Sequence, residues 1–235
     1  MQIQETGLAT LSKDHSRREG FYAAGFKRAI DIIVAPLLFV CCLPLMAVAA
    51  LAVVLESMDS PFYGQDRVGL DGRVFRLHKI RTMYNGADAS GFRTQEEDSR
   101  VTRIGRFLRS SKIDELPQLL NVICGDMSLI GPRPLSVEET RYLVTVEGFE
   151  KTTPGLVPTV LPGMTGLEQC TRSSLHPYGH RFWLNSYYET HVSLWQDCWI
   201  IKRTLMVCPG VCLVAAITGV GLAGWFTSHV LMRLF

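Results

Sequence analysis

The stretch KIDELPQLLNVICGDMSLIGPRP, residues 112–134, sets two carboxylates, Asp114 and Glu115, side by side just after a run of arginines. Ser110 and Ser111 close that run, and Pro117 lies three residues past Asp114. Proline is tolerated in a helix's first turn, where backbone N–H groups lack intrahelical partners. The spacing therefore predicts a new helix from Asp114, with Leu116, Leu119, Leu120 and Ile123 as its buried stripe. Asp114 then reads as the helix cap or close to it, and aspartate is a favoured cap with no chemistry attached. The same position has a chemical reading: a helix N-terminus stabilises an anion, so Asp114 stays ionised and can bind a metal or attack an electrophile. Two adjacent carboxylates suit Mg²⁺, which takes few protein ligands and shares the rest with phosphate oxygens. Arg109 and Arg133 offer planar donor forks to such phosphates. Pro132 and Pro134 restrict the backbone on either side of Arg133. Nucleophile, metal and cations together are the parts of a phosphoryl-transfer site.

Upstream, SRVTRIGRFLRSS (residues 99–111) reads as an amphipathic helix, with Arg103, Arg106 and Arg109 on one side and Ile104, Phe107 and Leu108 on the other. It suits a membrane interface or the surface of an ordinary core. VGLDGRVFRLHKIRTM (68–83) has a glycine turn followed by strand-like alternation. Residues 85–99 are polar and glycine-rich, a loop. Between Arg67 and Lys112 eleven Lys/Arg outnumber the Asp/Glu, which favours an anionic partner. The absence of interleaved aromatics argues against nucleic acid.

Further upstream, Ile32 to Leu55 is 24 residues without a formal charge, and about 20 helical residues cross a bilayer core. The segment is too long and starts too late for a cleavable signal. Lys27 and Arg28 precede it, which places the N-terminus on the cytoplasmic side. A simple span would then deliver Arg67, Arg73, Arg76, Lys79 and Arg81 to the far side. Pro36 and Pro44 interrupt the helix, and a kink there would return the chain as a re-entrant helix. The residues alone admit both arrangements. Asp31 stands within reach of Arg28 at i,i+3. A second apolar stretch, Thr204 to Met232, lacks Asp, Glu, Lys and Arg. It suits a span with close packing at Gly219, Gly221 and Gly224, or an interfacial pair broken at Pro209-Gly210. The chain is 47% hydrophobic with net charge +2, as expected for a globular part plus one or two membrane segments. Its seven cysteines show no metal or C-x-x-C spacing and read as reduced thiols on a cytosolic face. The scattered histidines at 78, 176, 180 and 191 read as structural or surface residues, with HPYGH (176–180) a turn.

Four motifs in order, FKRAID (26–31), GQDRVGLDGRVFRLHKIRTM (64–83), TRIGRFLRSSKIDELPQLLNVICGDMSLIGPRPL (102–135) and PGMTGLEQ (162–169), resemble the bacterial sugar transferases, monotopic phosphoglycosyl transferases acting on polyprenyl phosphate. The resemblance runs from about Phe26 to Leu205. It implies transfer of a sugar phosphate from a nucleoside diphosphate sugar, usually UDP-linked, to polyprenyl phosphate, giving polyprenyl diphosphate sugar and UMP, at the cytoplasmic face of the bacterial inner membrane. It assigns the covalent nucleophile to Asp114, Mg²⁺ binding to Glu115 with Asp114, and phosphate binding to Arg109 and Arg133; Lys79 and Arg81 are further expected phosphate-binding residues. The family's re-entrant break maps to Leu43-Pro44, with Pro36 an extra proline. The expected class is mainly α with a small β element: a monotopic membrane protein with a kinked re-entrant helix, amphipathic interfacial helices and an apolar C-terminal tail. The boundaries expected are a polar tail (1–25), the membrane helix (26–58), the catalytic part (59–204) and the tail segment (205–235). Expected partners are the nucleotide sugar, the lipid phosphate and the membrane, with a homodimer allowed for. Glu168, Asn185 and the missing Asn-Gly-Arg depart from the family's usual pattern, in the part expected to read the donor. A non-catalytic membrane adaptor, or a hydrolase using the same aspartyl intermediate, are the alternative functions.

Overall fold

A computed structural model of the chain describes residues 22–87, 98–171 and 179–207. The N-terminal tail, most of the expected loop at 85–99, His176 and the apolar tail from residue 208 lie outside these described residues. The described chain is mostly helical with two small two-stranded sheets.

The first helix, α1 (Lys27–Ser57), is built from Ala, Leu, Val and Ile and stays helical through Pro36 and Pro44. At 1.5 Å per residue it is roughly 46 Å long, and it is apolar enough to cross a membrane. One stripe is buried: Ala35, Cys42, Met46, Ala49 and Val53. Its middle packs on Leu77, Leu119, Val122 and Met127, and its C-terminal third on Ile80, Leu108 and Ile113. The opposite face leaves Ile33, Leu37, Val40, Val48, Leu51 and Leu55 exposed. Both ends are tied to the same body. Arg28 donates to the Val122 and Ile123 carbonyls at 2.7 and 3.2 Å. Asp31 accepts from the Leu129 N–H at 3.0 Å. These two residues, expected to pair with each other, instead hold separate backbone groups that need partners of their own. Near the other end, Glu56 accepts from the N–H groups of Arg103 and Ile104 at 2.8 and 3.0 Å.

Strands β1 (Phe62–Val68) and β2 (Val74–Ile80) form an antiparallel hairpin; the alternation pointed to β2, while its partner β1 was not read from the sequence. Buried Asn121 ties it to the helices: its Oδ1 accepts from the His78 N–H at 3.0 Å and its amide donates to the Arg76 carbonyl at 2.8 Å. Helix α2 (Arg103–Ser111) starts on the Thr102 side chain, which accepts from the Gly105 N–H. Any Cβ at Gly105 would collide with the Thr82 backbone, so α2 sits directly on the end of β2. Of the three apolar residues expected to share one side of α2, Leu108 is buried and Ile104 partly so, while Phe107 is exposed.

Lys112 then adopts a left-handed conformation (φ 62) that ends α2. Asp114 and Glu115 lie in a single 3₁₀ turn, Ile113–Glu115. Helix α3 (Gln118–Cys124) follows with Pro117, not Asp114, at its N-cap. This corrects the expected helix start. The later start also changes the buried stripe: Leu119 and Val122 are buried beside Asn121, while Leu120 and Ile123 are exposed.

Strands β3 (Ser128–Ile130) and β4 (Gly163–Thr165) are parallel, joined by a crossover that contains α4 (Val137–Thr145). Short α5 (Leu167–Cys170) leads to α6 (Gly179–Thr190) and α7 (Leu194–Val207). Ile130, Cys170, Leu184, Tyr188 and Ile200 make their shared core. Asp197 on α7, 1% exposed, accepts from the Tyr22 and Tyr188 hydroxyls at 2.7 Å each and pairs with Lys27 at 2.5 Å. A buried carboxylate is tolerable when so fully partnered. The node joins the start of α1 to α7.

Candidate active site

The carboxylate turn sits where α2, α3, β2 and the Pro132-Arg133-Pro134 turn meet. Glu115 is ringed by cations: Arg133 Nη2 at 3.5 Å and the ammonium groups of Lys79 and Lys112 at 3.8 Å each. Burial alone would raise its pKa, but Arg133, then Lys79 and Lys112, lower it to about 2. Asp114, 6% exposed, has the opposite balance. Burial first, then the Glu115 charge, raise its pKa to about 6 against Lys79, Lys112 and Arg109. The expectation that a helix terminus keeps Asp114 firmly ionised is thus corrected: no α-helix begins there, and desolvation outweighs the cations. Asp114 Oδ1 is buried without a hydrogen-bond partner. Burial also pulls Lys79 down to about 8, although Glu115 opposes it.

The supporting backbone explains these placements. Gly163 N–H donates to the Pro132 carbonyl at 2.9 Å, and Val68 N–H to the Leu135 carbonyl at 2.9 Å. The Pro-Arg-Pro turn is therefore slung between β4 and β1. Arg109 Nε donates to Thr82 Oγ1 at 2.7 Å, which aims the last turn of α2 along β2. Burial lowers the Arg109 pKa, opposed chiefly by the Asp114 charge.

Of the residues expected at the site, Asp114, Glu115, Lys79, Arg109 and Arg133 come together. Arg81 stands apart and donates to Asn85 Oδ1 at 3.3 Å. Pro36 and Pro44 lie within α1. Lys112, Thr82 and Asn121 were not singled out by sequence reasoning. Lys112 had a visible signal, i,i+3 spacing to Glu115, whereas Thr82 and Asn121 act through tertiary contacts that no spacing encodes. Glu168 is paired with Arg181 at 3.2 Å, and Arg181 also holds Glu139 at 3.0 Å. Asn185 is buried and donates to the Gly155 carbonyl at 3.3 Å, so it braces a loop.

Among the described residues no group of three or more His, Cys, Asp or Glu could cage a metal. The dyad still fits Mg²⁺ in a shared mode. Asp114 Oδ1 is an unused carboxylate oxygen, and Mg²⁺ typically takes one or two carboxylates with substrate phosphates completing its shell. Glu115, already opposed by three cations, is the weaker ligand of the two unless phosphate draws those cations away.

Two adjacent carboxylates framed by cations and packed near a long apolar helix have the charge layout that phosphate groups require. The chain belongs to the bacterial sugar transferase family, whose profile matches residues 22–209. It is 39% identical over 189 residues to the UDP-glucose:undecaprenyl-phosphate glucose-1-phosphate transferase of Caulobacter vibrioides, covering 76% of this chain and 68% of that protein. It is 33% identical over 204 residues to the exopolysaccharide production protein ExoY of Sinorhizobium fredii, covering 80% and 85%. With the UDP-N-acetylgalactosamine-undecaprenyl-phosphate N-acetylgalactosaminephosphotransferase of Aeromonas hydrophila it shares 34% over 225 residues, 87% of this chain but 50% of that longer protein.

Proposed function

We propose that this chain transfers a sugar phosphate from a UDP-sugar to undecaprenyl phosphate, releasing UMP, as the first membrane step of a polysaccharide or glycoconjugate. The observation that carries the reading is the divided dyad: Glu115 lies within 3.8 Å of three cationic side chains, while Asp114 Oδ1 beside it is buried without a hydrogen-bond partner. An Asp114 oxygen attacks the phosphorus that bears the sugar. The bond to the bridging oxygen breaks, and UMP leaves with the electron pair. A phosphate oxygen of the lipid then attacks the acyl phosphate, forms the new diphosphate and returns the electron pair to Asp114. Mg²⁺ held by Asp114 and Glu115 would supply Lewis-acid charge for the diphosphate. Arg133, Lys79 and Arg109 neutralise and orient the phosphates.

The same reading places the site at the cytoplasmic face of the inner membrane. Arg28, Asp31 and Glu56 bind one body at both ends of α1, which supports entry and exit on a single face and leaves the outward apolar stripe for lipid. Exposed Phe107, between Arg106 and Arg109 in sequence, suits α2 to the headgroup layer.

The testing experiment is UMP release from a panel of UDP-sugars. Turnover is expected only with undecaprenyl phosphate and Mg²⁺ together. Rapid release without lipid would instead make the protein a hydrolase. The pH dependence follows from the site: Asp114 must be deprotonated to attack and Lys79 protonated to hold phosphate. The kcat/KM profile should rise through about pH 6 and fall through about pH 8. A profile flat from pH 5 to 9 contradicts these assignments.

A further inference from the structure

Arg67, near the end of β1, is a cation that the mechanism above does not use. Its Nη1 donates to the Pro134 carbonyl at 2.9 Å and its Nη2 to Gln65 Oε1 at 2.6 Å. Its Nε is closed off from solvent and has no hydrogen-bond partner. Both acceptors are neutral, and among the described residues no carboxylate forms an ion pair with it. The backbone on either side is fastened to the catalytic turn as well: Arg67 pairs with Ser136, and Val68 N–H donates to the Leu135 carbonyl. The charged groups that bear on Arg67 are Arg133 from the Pro-Arg-Pro turn, Glu139 from α4, Arg181 from α6 and Glu115 from the dyad turn. Burial first, then the neighbouring Arg133 charge, draw its pKa down to about 10.

This arrangement is costly. Partly removing a guanidinium from water without a carboxylate in ion-pair contact is unfavourable, and the Arg133 and Arg181 charges add repulsion, which Glu139 and Glu115 oppose. A neutral donor could brace the Pro134 carbonyl equally well, so the brace alone does not require a charge. Clustered like charges with unmet donors are what an anionic ligand compensates. We propose that Arg67 is a positioning residue for Arg133 that also places a second fixed positive charge behind it, tuned to the diphosphate of the nucleotide donor. The proposal rests on the transferase reading. Arg67 acts on donor binding through the turn and the local field, and the acceptor lipid makes no demand on it.

Three forms of the full chain in detergent decide it: wild type, Arg67→Gln and Arg67→Lys. Each is assayed for kcat and donor KM in UMP release, for Mg²⁺-UDP binding without lipid, and for thermal unfolding. Arg67→Gln is expected to raise donor KM and weaken UDP binding at least about tenfold, as for loss of a charge-assisted contact, while KM for undecaprenyl phosphate stays within about twofold. Arg67→Lys should recover most of the donor affinity at pH 7 and lose it at a lower pH than wild type, because a buried ammonium deprotonates where a guanidinium does not. The proposal is overturned if Arg67→Gln lowers the unfolding temperature and the active fraction but leaves donor KM and UDP binding unchanged, or if Arg67→Lys is no better than Arg67→Gln. Wild type that releases no UMP from any donor overturns the transferase reading instead, and the UDP-binding comparison still decides the role of Arg67.

Discussion

Asp114→Asn is expected to abolish turnover, by at least about three orders of magnitude, and at the same time to make the protein more stable. The second effect comes from burial. Folding raises the Asp114 pKa from 3.8 to about 6, so the folded state binds its proton more tightly than the unfolded chain. The stability this contributes is fully present below about pH 4 and is lost as pH rises through about 6. Above that, the ionised buried carboxylate costs about 1–3 kcal/mol relative to its unfolded form. Asparagine carries no such cost. Thermal unfolding in detergent should show a higher midpoint for Asp114→Asn at pH 7.5, with the advantage gone at pH 4. A variant that still releases UMP at more than a few per cent of the wild-type rate would remove Asp114 from the nucleophile's role. An unchanged unfolding midpoint would remove the burial argument.

The neighbouring residue should behave in the opposite way. Folding lowers the Glu115 pKa from 4.5 to about 2, so its contribution is present above about pH 4.5 and is lost only as pH falls through about 2. Glu115→Gln leaves Lys79, Lys112 and Arg133 facing one another without their shared counter-charge. Breaking a partly buried cluster of this kind costs about 3 kcal/mol. Turnover should fall by about 10²–10³-fold, as for loss of an electrostatic group in the site, and more Mg²⁺ should be needed for half-maximal rate. The pair of measurements is a paired control, since the two side chains are adjacent and the substitutions are isosteric. Equal shifts in stability for both variants would refute the divided dyad. A Glu115→Gln variant as stable and as active as wild type would refute the part given to the cations.

How far the sequence could be read depended on the range of the interaction. Strand β2, α2 and the apolar helix rest on short-range periodicity, and the structure contains all three, while β1 was not read. Asp114, Glu115, Arg109 and Arg133 were visible because they fall within a span of 25 residues and their types match one chemistry. What failed was local geometry decided by tertiary packing. The left-handed Lys112 and the 3₁₀ turn move the start of α3 from Asp114 to Pro117, and a residue-type argument about Pro117 cannot tell the first turn from the cap. The protonation balance of Asp114 was also out of reach, because it depends on how much water the fold removes. Arg28 and Asp31 show a related limit: i,i+3 spacing makes a pair available, but carbonyl and amide groups on α3 and β3 compete for the same side chains and win.

The anchors of α1 also constrain how the protein is made. Arg28 reaches a carbonyl 94 residues further along the chain, Asp31 an amide 98 residues on, and Lys27 a carboxylate 170 residues on. A ribosome therefore delivers the most apolar helix first and its polar partners last. Through that interval the helix lacks the protein surface that covers its inner stripe in the finished fold. The apolar helix is thus synthesised well before the polar groups that anchor it.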